Sequence, residues 1–248
     1  RMAGAGDRAY IRGMALPSKP GTSGAVADFL KRLETMPAVR PAGEPARLIF
    51  GLDATASRQP MWDRACQVQG EMFLATREIG GLAVSLAYYR GFQEFAATPF
   101  LTDAMELARR MARVTCLGGQ TQILRLLRHA LAETRAKRVA ALVFVGDAME
   151  EDVDALCHAA GELGLRGTPA FVFHEGQDPV AGNAFRQIAK LSGGAYAPFD
   201  ASSTEALREL LRAVAVFAAG GRQALARLPG AAALRIAGQL PAPRGGGR

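Results

Sequence analysis

Three short apolar runs, separated by stretches of helical periodicity, restrict the possible folds of this chain more than any other feature. They are RLIFGLD at 47–53, VAALVFV at 139–145 and PAFVFH at 169–174. A strand with one wet face alternates apolar and polar residues, whereas these runs are nearly continuous, as strands covered on both faces must be. Between them lie helical patterns. One runs from about Gln59 to Arg77 and carries Trp62, Val68, Met72 and Phe73. A second, opened by Thr102 and Asp103, reaches about Arg113. A third, from about Gln122 to Lys137, sets Ile123, Leu126, Leu127, Ala130 and Leu131 on one face. Further helices are expected from the acids at 150–154 to about Leu163, over 182–192 and over 204–218. LAVSLAYY at 82–89 alternates as a strand, Arg90-Gly91 turns the chain, and 92–97 is a short return strand. A last short strand is expected at 195–199. Strands alternating with helices predict an α/β fold: a mostly parallel central sheet, an antiparallel edge strand, and helices on both faces.

The ends differ from this middle. Residues 1–22 lack periodicity and read as a disordered leader. Val26, Phe29, Leu30, Leu33 and Met36 share one face of an expected helix over 24–36, for which Ser23 is a plausible N-cap. A Pro-rich linker follows at 37–46. The expected organisation is thus 1–46 leader, helix and linker, 47–221 a single domain, and 222–248 a basic, Gly- and Pro-containing tail. The formal charge of +7 lies in those ends. Residues 1–47 hold eight Lys/Arg against four Asp/Glu, and 221–248 hold five Arg and no acid. The middle holds 17 basic and 19 acidic residues, so the expected domain lacks the excess positive charge of a phosphate-tracking groove. No stretch approaches the about 20 apolar residues of a membrane span, and the N-terminus has no apolar core of a secretion signal, so a cytoplasmic location is expected. Cys66, Cys116 and Cys157 have neither disulfide-framework nor zinc-site spacing and read as small buried hydrophobes.

In parallel sheets, ligands gather beyond the carboxyl ends of the strands. Three loops there carry oxygen donors: Asp53-Ala-Thr55-Ala-Ser57 after the first apolar run, Gly118-Gly119-Gln120-Thr121 before the third helical pattern, and Gly146-Asp147 after the second apolar run. Around a tight loop, residues i, i+2 and i+4 can turn inward, and Ala54 and Ala56 keep the intervening positions small. Two carboxylates and three hydroxyls suit Mg²⁺, Mn²⁺ or Ca²⁺ rather than zinc or copper. With only two charged donors, the ion would retain positive character and an open corner for a partner's Asp or Glu. The bland alternatives are helix capping: by the Asp53 motif for the helix after it, and by Asp147 with Glu150 in a capping-box arrangement. Glu150, Glu151, Asp152 and Asp154 read as first-turn residues of their own helix, or as an acidic rim facing a basic flank of a partner.

The pattern Asp53-x-Thr55-x-Ser57, then Thr121, then Asp147 resembles the metal-ion-dependent adhesion site of von Willebrand factor A (VWA) domains. Gly118-Gly119-x-Thr121 and Leu191-Ser192-Gly193-Gly194-x-Tyr196 resemble family landmarks in the same order. The resemblance implies a Rossmann-like three-layer fold. It further implies that Thr55 and Ser57 bind the ion directly, Asp53 and Thr121 bind it directly or through water, and Asp147 stands one layer behind. Thr55 replaces the usual first Ser, retaining the hydroxyl, and Ala148 stands where Gly is common. Intracellular bacterial members of the family often work beside ATPases or chaperones.

The function expected is therefore a non-catalytic, metal-dependent protein-binding module. An RNA-associated protein using its basic tails is the alternative, and a Mg²⁺-dependent hydrolase is less favoured. A phosphatase-type Asp-x-Asp-x-Thr would need a carboxylate where Thr55 stands. His174 could reach the ligand face, yet no Ser or Cys nucleophile is recognisable beside it. His129 lies near the polar side of its helix. No phosphate-binding glycine loop follows any strand.

Overall fold

A computed structural model describes residues 44–76, 81–199 and 204–227. The expected helix at 24–36, the leader, most of the linker and the tail beyond residue 227 lie outside the described residues. Six strands form one sheet in the order β3-β2-β1-β4-β5-β6. They are β1 (Ala46–Asp53), β2 (Leu82–Arg90), β3 (Glu94–Ala97), β4 (Ala141–Gly146), β5 (Ala170–Glu175) and β6 (Ala195–Phe199). All pairs are parallel except β2 with β3. The antiparallel edge follows from the tight turn at Gly91, whose φ of 57° is a left-handed conformation that glycine adopts without a Cβ clash.

The helices are α1 (Gln59–Val68), α2 (Gly70–Thr76), α3 (Ala104–Met111), α4 (Ile123–Ala136), α5 (Val153–Leu165), α6 (Pro179–Leu191) and α7 (Thr204–Ala226). They cover both faces. Leu48, Phe50 and Leu52 of β1 pack with Trp62, Met72, Leu107, Leu210 and Val214 of α1, α2, α3 and α7. On the opposite face, Ile49 packs with Leu126 and Ile123 of α4, Leu156 of α5 and Phe185 of α6. Side chains alternate along a strand, so the parity that sends Ile49 to the second face sends Asp53 there as well. Gly51 lies on that same parity, and a Cβ on it would come within 2.5 Å of the Leu126 side chain. The three layers are therefore helices, sheet, helices, as the apolar runs predicted.

Two helices differ from expectation. The helix expected over Gln59–Arg77 is two, α1 and α2, joined at Gln69. Gly70, with no side chain to pack and high backbone entropy, is the local reason for that weak point. The last helix runs past its expected end to Ala226, bent at Gly221 where φ is 68°. No helix among the described residues is long and apolar enough to cross a membrane.

Candidate metal centre

Asp53 is the last residue of β1 and pairs in register with Tyr89 of β2. Both side chains face the α4 side of the sheet. The Tyr89 hydroxyl donates to Asp53 Oδ2 at 3.2 Å. Asp53 Oδ1 accepts the Thr55 N–H at 2.8 Å, and the Thr55 hydroxyl also faces this carboxylate. The chain then closes into a 3₁₀ turn over Ala56–Arg58, where the Arg58 N–H bonds the Thr55 carbonyl at 2.9 Å. Ser57 belongs to that turn, and its side chain is outside the described residues. Thr55 occupies the N-cap position of the turn without a side-chain cap bond, so the motif is not there to cap a helix.

The second loop is laid against the first. Leu117 N–H bonds the Ala54 carbonyl at 3.0 Å, and Gly91 N–H bonds the Leu117 carbonyl at 3.3 Å. Gly119 passes so close to the β2–β3 turn that a Cβ there would meet the Gly91 carbonyl oxygen at 1.9 Å. Thr121 follows, buried, and is joined to the third loop. Its Oγ1 accepts the Glu150 N–H at 3.1 Å, while Glu150 Oε2 accepts the Thr121 N–H at 3.3 Å. Asp147, one residue beyond β4, is partly exposed and ion-pairs with Arg58 at 3.5 Å.

Several side chains in this edge carry functions that sequence reasoning missed or misassigned. Asp147 is not the cap of α5. Asp152 is, accepting the Ala155 N–H at 2.7 Å. Glu150 and Glu151 serve the neighbouring helix rather than their own. Glu151 accepts the N–H groups of Ile123 and Leu124 at 2.5 and 2.9 Å, compensating the positive N-terminal end of α4. Arg58 is buried, and its guanidinium ion-pairs with Glu175 at the end of β5 as well as with Asp147. Glu175 is also paired with Arg64 of α1 at 3.5 Å. Arg58, Tyr89, Glu151 and Glu175 gave no signal of these roles, because their partners are distant in sequence. His174 pairs in register with Gly146 at the end of β4 and lies beside Asp147; burial lowers its pKa, and a bond with the Asp147 backbone opposes that lowering. Its ring is buried against Phe185 and Tyr196, bonded through Nδ1 to the Tyr196 hydroxyl at 2.8 Å.

The electrostatics follow from burial. Asp53 is only 3% exposed. Loss of water raises its carboxyl above the usual carboxylate value, against the lowering effect of the Thr55 N–H and hydroxyl and the Arg58 charge; the Asp147 charge pushes it further up. Burial, with the Asp53 charge second, keeps the Tyr89 hydroxyl protonated and hence a donor. Burial likewise pushes the Cys116 and Cys66 thiols up to about 11, so neither is a thiolate nucleophile near neutrality.

Asp53 is thus a desolvated carboxylate whose direct partners are neutral hydrogen-bond donors. Among the described residues no cationic side chain lies within ion-pair distance of it. Burying a charge without a counter-charge is unfavourable. A hard cation beside Asp53 would relieve that condition, and carboxylate and hydroxyl oxygens are the donor types that Mg²⁺, Mn²⁺ or Ca²⁺ takes.

Among solved structures, the chain is similar to the SpRpn10 VWA domain, with a TM-score of 0.54 at 10% identity over 67% of this chain and 94% of that one. The fold is VWA-like. It is also similar to human COPII-coat protein Sec24c (TM-score 0.54, 12% identity, 72% of this chain and 33% of that one). A third match is the pilus adhesin SpaC from Lactobacillus rhamnosus GG (TM-score 0.54, 10% identity, 73% of this chain and 30% of that one). The chain therefore spans nearly all of the first and about a third of the other two. No protein-family model and no curated protein matches the sequence.

Proposed function

We propose that this VWA-like chain is a non-catalytic protein-binding module that captures a partner's Asp or Glu through a divalent cation held at the carboxyl edge of its sheet. The observation that carries this reading is Asp53: a buried carboxylate, raised in pKa, with neutral direct partners. Asp53, Thr55 and Thr121 would hold the ion, with Ser57 in the same turn and Asp147 behind them. Bound Mg²⁺ or Mn²⁺ supplies a Lewis-acidic corner at which an incoming carboxylate replaces water.

The chain's own residues do the rest. The Thr55 N–H and the Tyr89 hydroxyl fix both Asp53 oxygens in place. The Thr121–Glu150 bonds fix the distance between the second and third loops. The fold is also that of proteins named for adhesion and for coat assembly, which supports a binding role here. A cytoplasmic assembly containing an ATPase or chaperone is the setting that the family resemblance suggests. Pull-down from lysate with and without Mg²⁺, comparing the intact protein with Asp53→Ala, tests the reading. Partners retained only by the intact protein in Mg²⁺ support it. Partners retained equally by both proteins and after EDTA contradict it.

A further inference from the structure

The guanidinium of Arg58 is an unusual group to find at this edge. It is 4% exposed, and it is fixed to the Asp53 loop by the 3₁₀ turn that it ends. One of its terminal nitrogens, Nη1, faces both Asp147 and Glu175. The other two, Nε and Nη2, are buried with no acceptor among the described residues. A buried guanidinium normally uses its planar fork for several hydrogen bonds. Arg58 is instead held by charge on one corner alone, an arrangement with a large desolvation cost and little geometric restraint.

The charges around it point the same way. Asp53, Asp147 and Glu175 are gathered with Arg58 and Arg64, three acids against two bases. The acid that Arg58 grips most closely has a second counter-ion. Glu175 engages Arg58 through Oε2 and Arg64 through Oε1. If Arg58 departs, Glu175 keeps Arg64 and is not left unpaired. Asp147, whose side chain is 31% exposed, regains water or a cation from the solvent side. Departure of Arg58 together with arrival of a divalent ion brings this group of charges to neutrality. Arrival with Arg58 still in place sets a divalent and a monovalent cation against the same Asp147.

We infer that Arg58 is a resident counter-ion that occupies the acidic edge in the metal-free protein and is expelled when the divalent cation enters, so that it sets the metal affinity of the site. This rests on the metal-binding reading above. The lever is electrostatic: like charges sharing a partly desolvated acidic edge repel each other. Arg58 is therefore a positioning residue for Asp147 in one state and a competitor of the metal in the other.

Calorimetric titration with Mn²⁺ of the full chain, of Arg58→Met and of Asp53→Asn tests the inference. Arg58→Met is expected to bind Mn²⁺ at least about tenfold more tightly than the wild type, since each factor of ten is a modest fraction of one buried charge–charge interaction. Equal or weaker binding by Arg58→Met overturns the inference while leaving metal binding itself intact. Binding by Arg58→Met but not by the wild type supports Arg58 as the occupant and removes wild-type metal uptake. No binding by any of the three removes both. If Arg58→Met does not fold, the wild-type protein gives the answer through its arginine Nε–Hε resonances. Arg58 should show a solvent-protected signal that is lost or shifted to an exposed position on saturation with Mg²⁺. A signal unchanged at saturation overturns the inference.

Discussion

Thr121 and Glu150 hold each other at both ends: the Thr121 hydroxyl accepts the Glu150 N–H at 3.1 Å, and the Glu150 carboxylate accepts the Thr121 N–H at 3.3 Å. This pair locks the loop before α4 to the loop after β4, and the proposed ligand set depends on that lock. Thr121→Val retains the shape but removes the acceptor of the Glu150 N–H, a part-buried bond whose loss costs about 0.5–1.5 kcal/mol. Thr121→Ser retains the hydroxyl. Urea denaturation should place the Val variant below the Ser variant, and Mn²⁺ titration should find binding in Ser alone. Equal stability of the two would show that the pair does not hold the loops.

Asp53→Asn separates stability from function. Asn can still accept the Thr55 N–H, and its amide can donate to the Tyr89 oxygen after the hydroxyl rotates. Removing a buried, unpaired charge should raise the stability of the metal-free protein by about 1–3 kcal/mol while abolishing metal binding. A destabilised Asn variant in EDTA would show that the Asp53 charge is already compensated.

The same group sets a pH dependence. The folded-state pKa of Asp53 lies above its unfolded value, because burial disfavours the anion. Between those two values the native state binds more protons, so the Asp53 contribution to stability falls as pH rises through the window and is fully unfavourable above the folded pKa. Metal binding has the opposite sense. Protonation removes the ligand, so Mn²⁺ affinity should weaken as pH falls through the raised folded pKa, and this dependence should vanish in Asp53→Asn. Affinity independent of pH across the acid range would contradict Asp53 as a ligand.

The two glycines of the second loop should behave unequally. A Cβ on Gly118 would have Ala56 at 3.9 Å, an ordinary contact, whereas one on Gly119 would lie 1.9 Å from the Gly91 carbonyl oxygen, a backbone atom that cannot step aside alone. Gly118→Ala should leave thermal unfolding and Mn²⁺ binding close to wild type. Gly119→Ala should displace the Thr121 loop and weaken binding about tenfold or more, equivalent to ~1.4 kcal/mol. Matching behaviour of the two variants would remove the close approach as the reason for the glycine pair.

Glu151→Ala removes the acceptor of two helix N-terminal N–H groups, those of Ile123 and Leu124. A loss of about 1–3 kcal/mol is expected in chemical denaturation, partly recovered by Glu151→Gln, which keeps one oxygen acceptor without the charge. No loss in Glu151→Ala would assign these acids to solvent instead.

Local pattern made the fold readable and left part of the site hidden. The continuous apolar character of 47–53, 139–145 and 169–174 located β1, β4 and β5, because burial on both faces leaves a mark on every residue of a strand. Asp53 and Asp147 could be found for the same reason, as the polar residues that end those runs. Glu150 and Glu151 were misassigned because their proximity to α5 in sequence suggested its first turn, while folding carries them to the N-terminus of α4. Tyr89 was hidden inside an alternating strand, since only the β1–β2 register places it across from Asp53. Arg58 reads as an ordinary charged residue at a helix start until β5 brings Glu175 to it. The split at Gln69–Gly70 lay within a single apolar period, which one glycine interrupts in backbone but not in pattern.

The central claim is a divalent cation at the Asp53 edge, and direct titration of Mn²⁺ tests it most closely. Electron paramagnetic resonance of free Mn²⁺ against protein concentration counts bound ions without any partner present. One Mn²⁺ per chain is predicted, displaced by excess Mg²⁺ and absent in Asp53→Asn. Undiminished free Mn²⁺ at high protein concentration, or equal uptake by wild type and Asp53→Asn, would contradict the account.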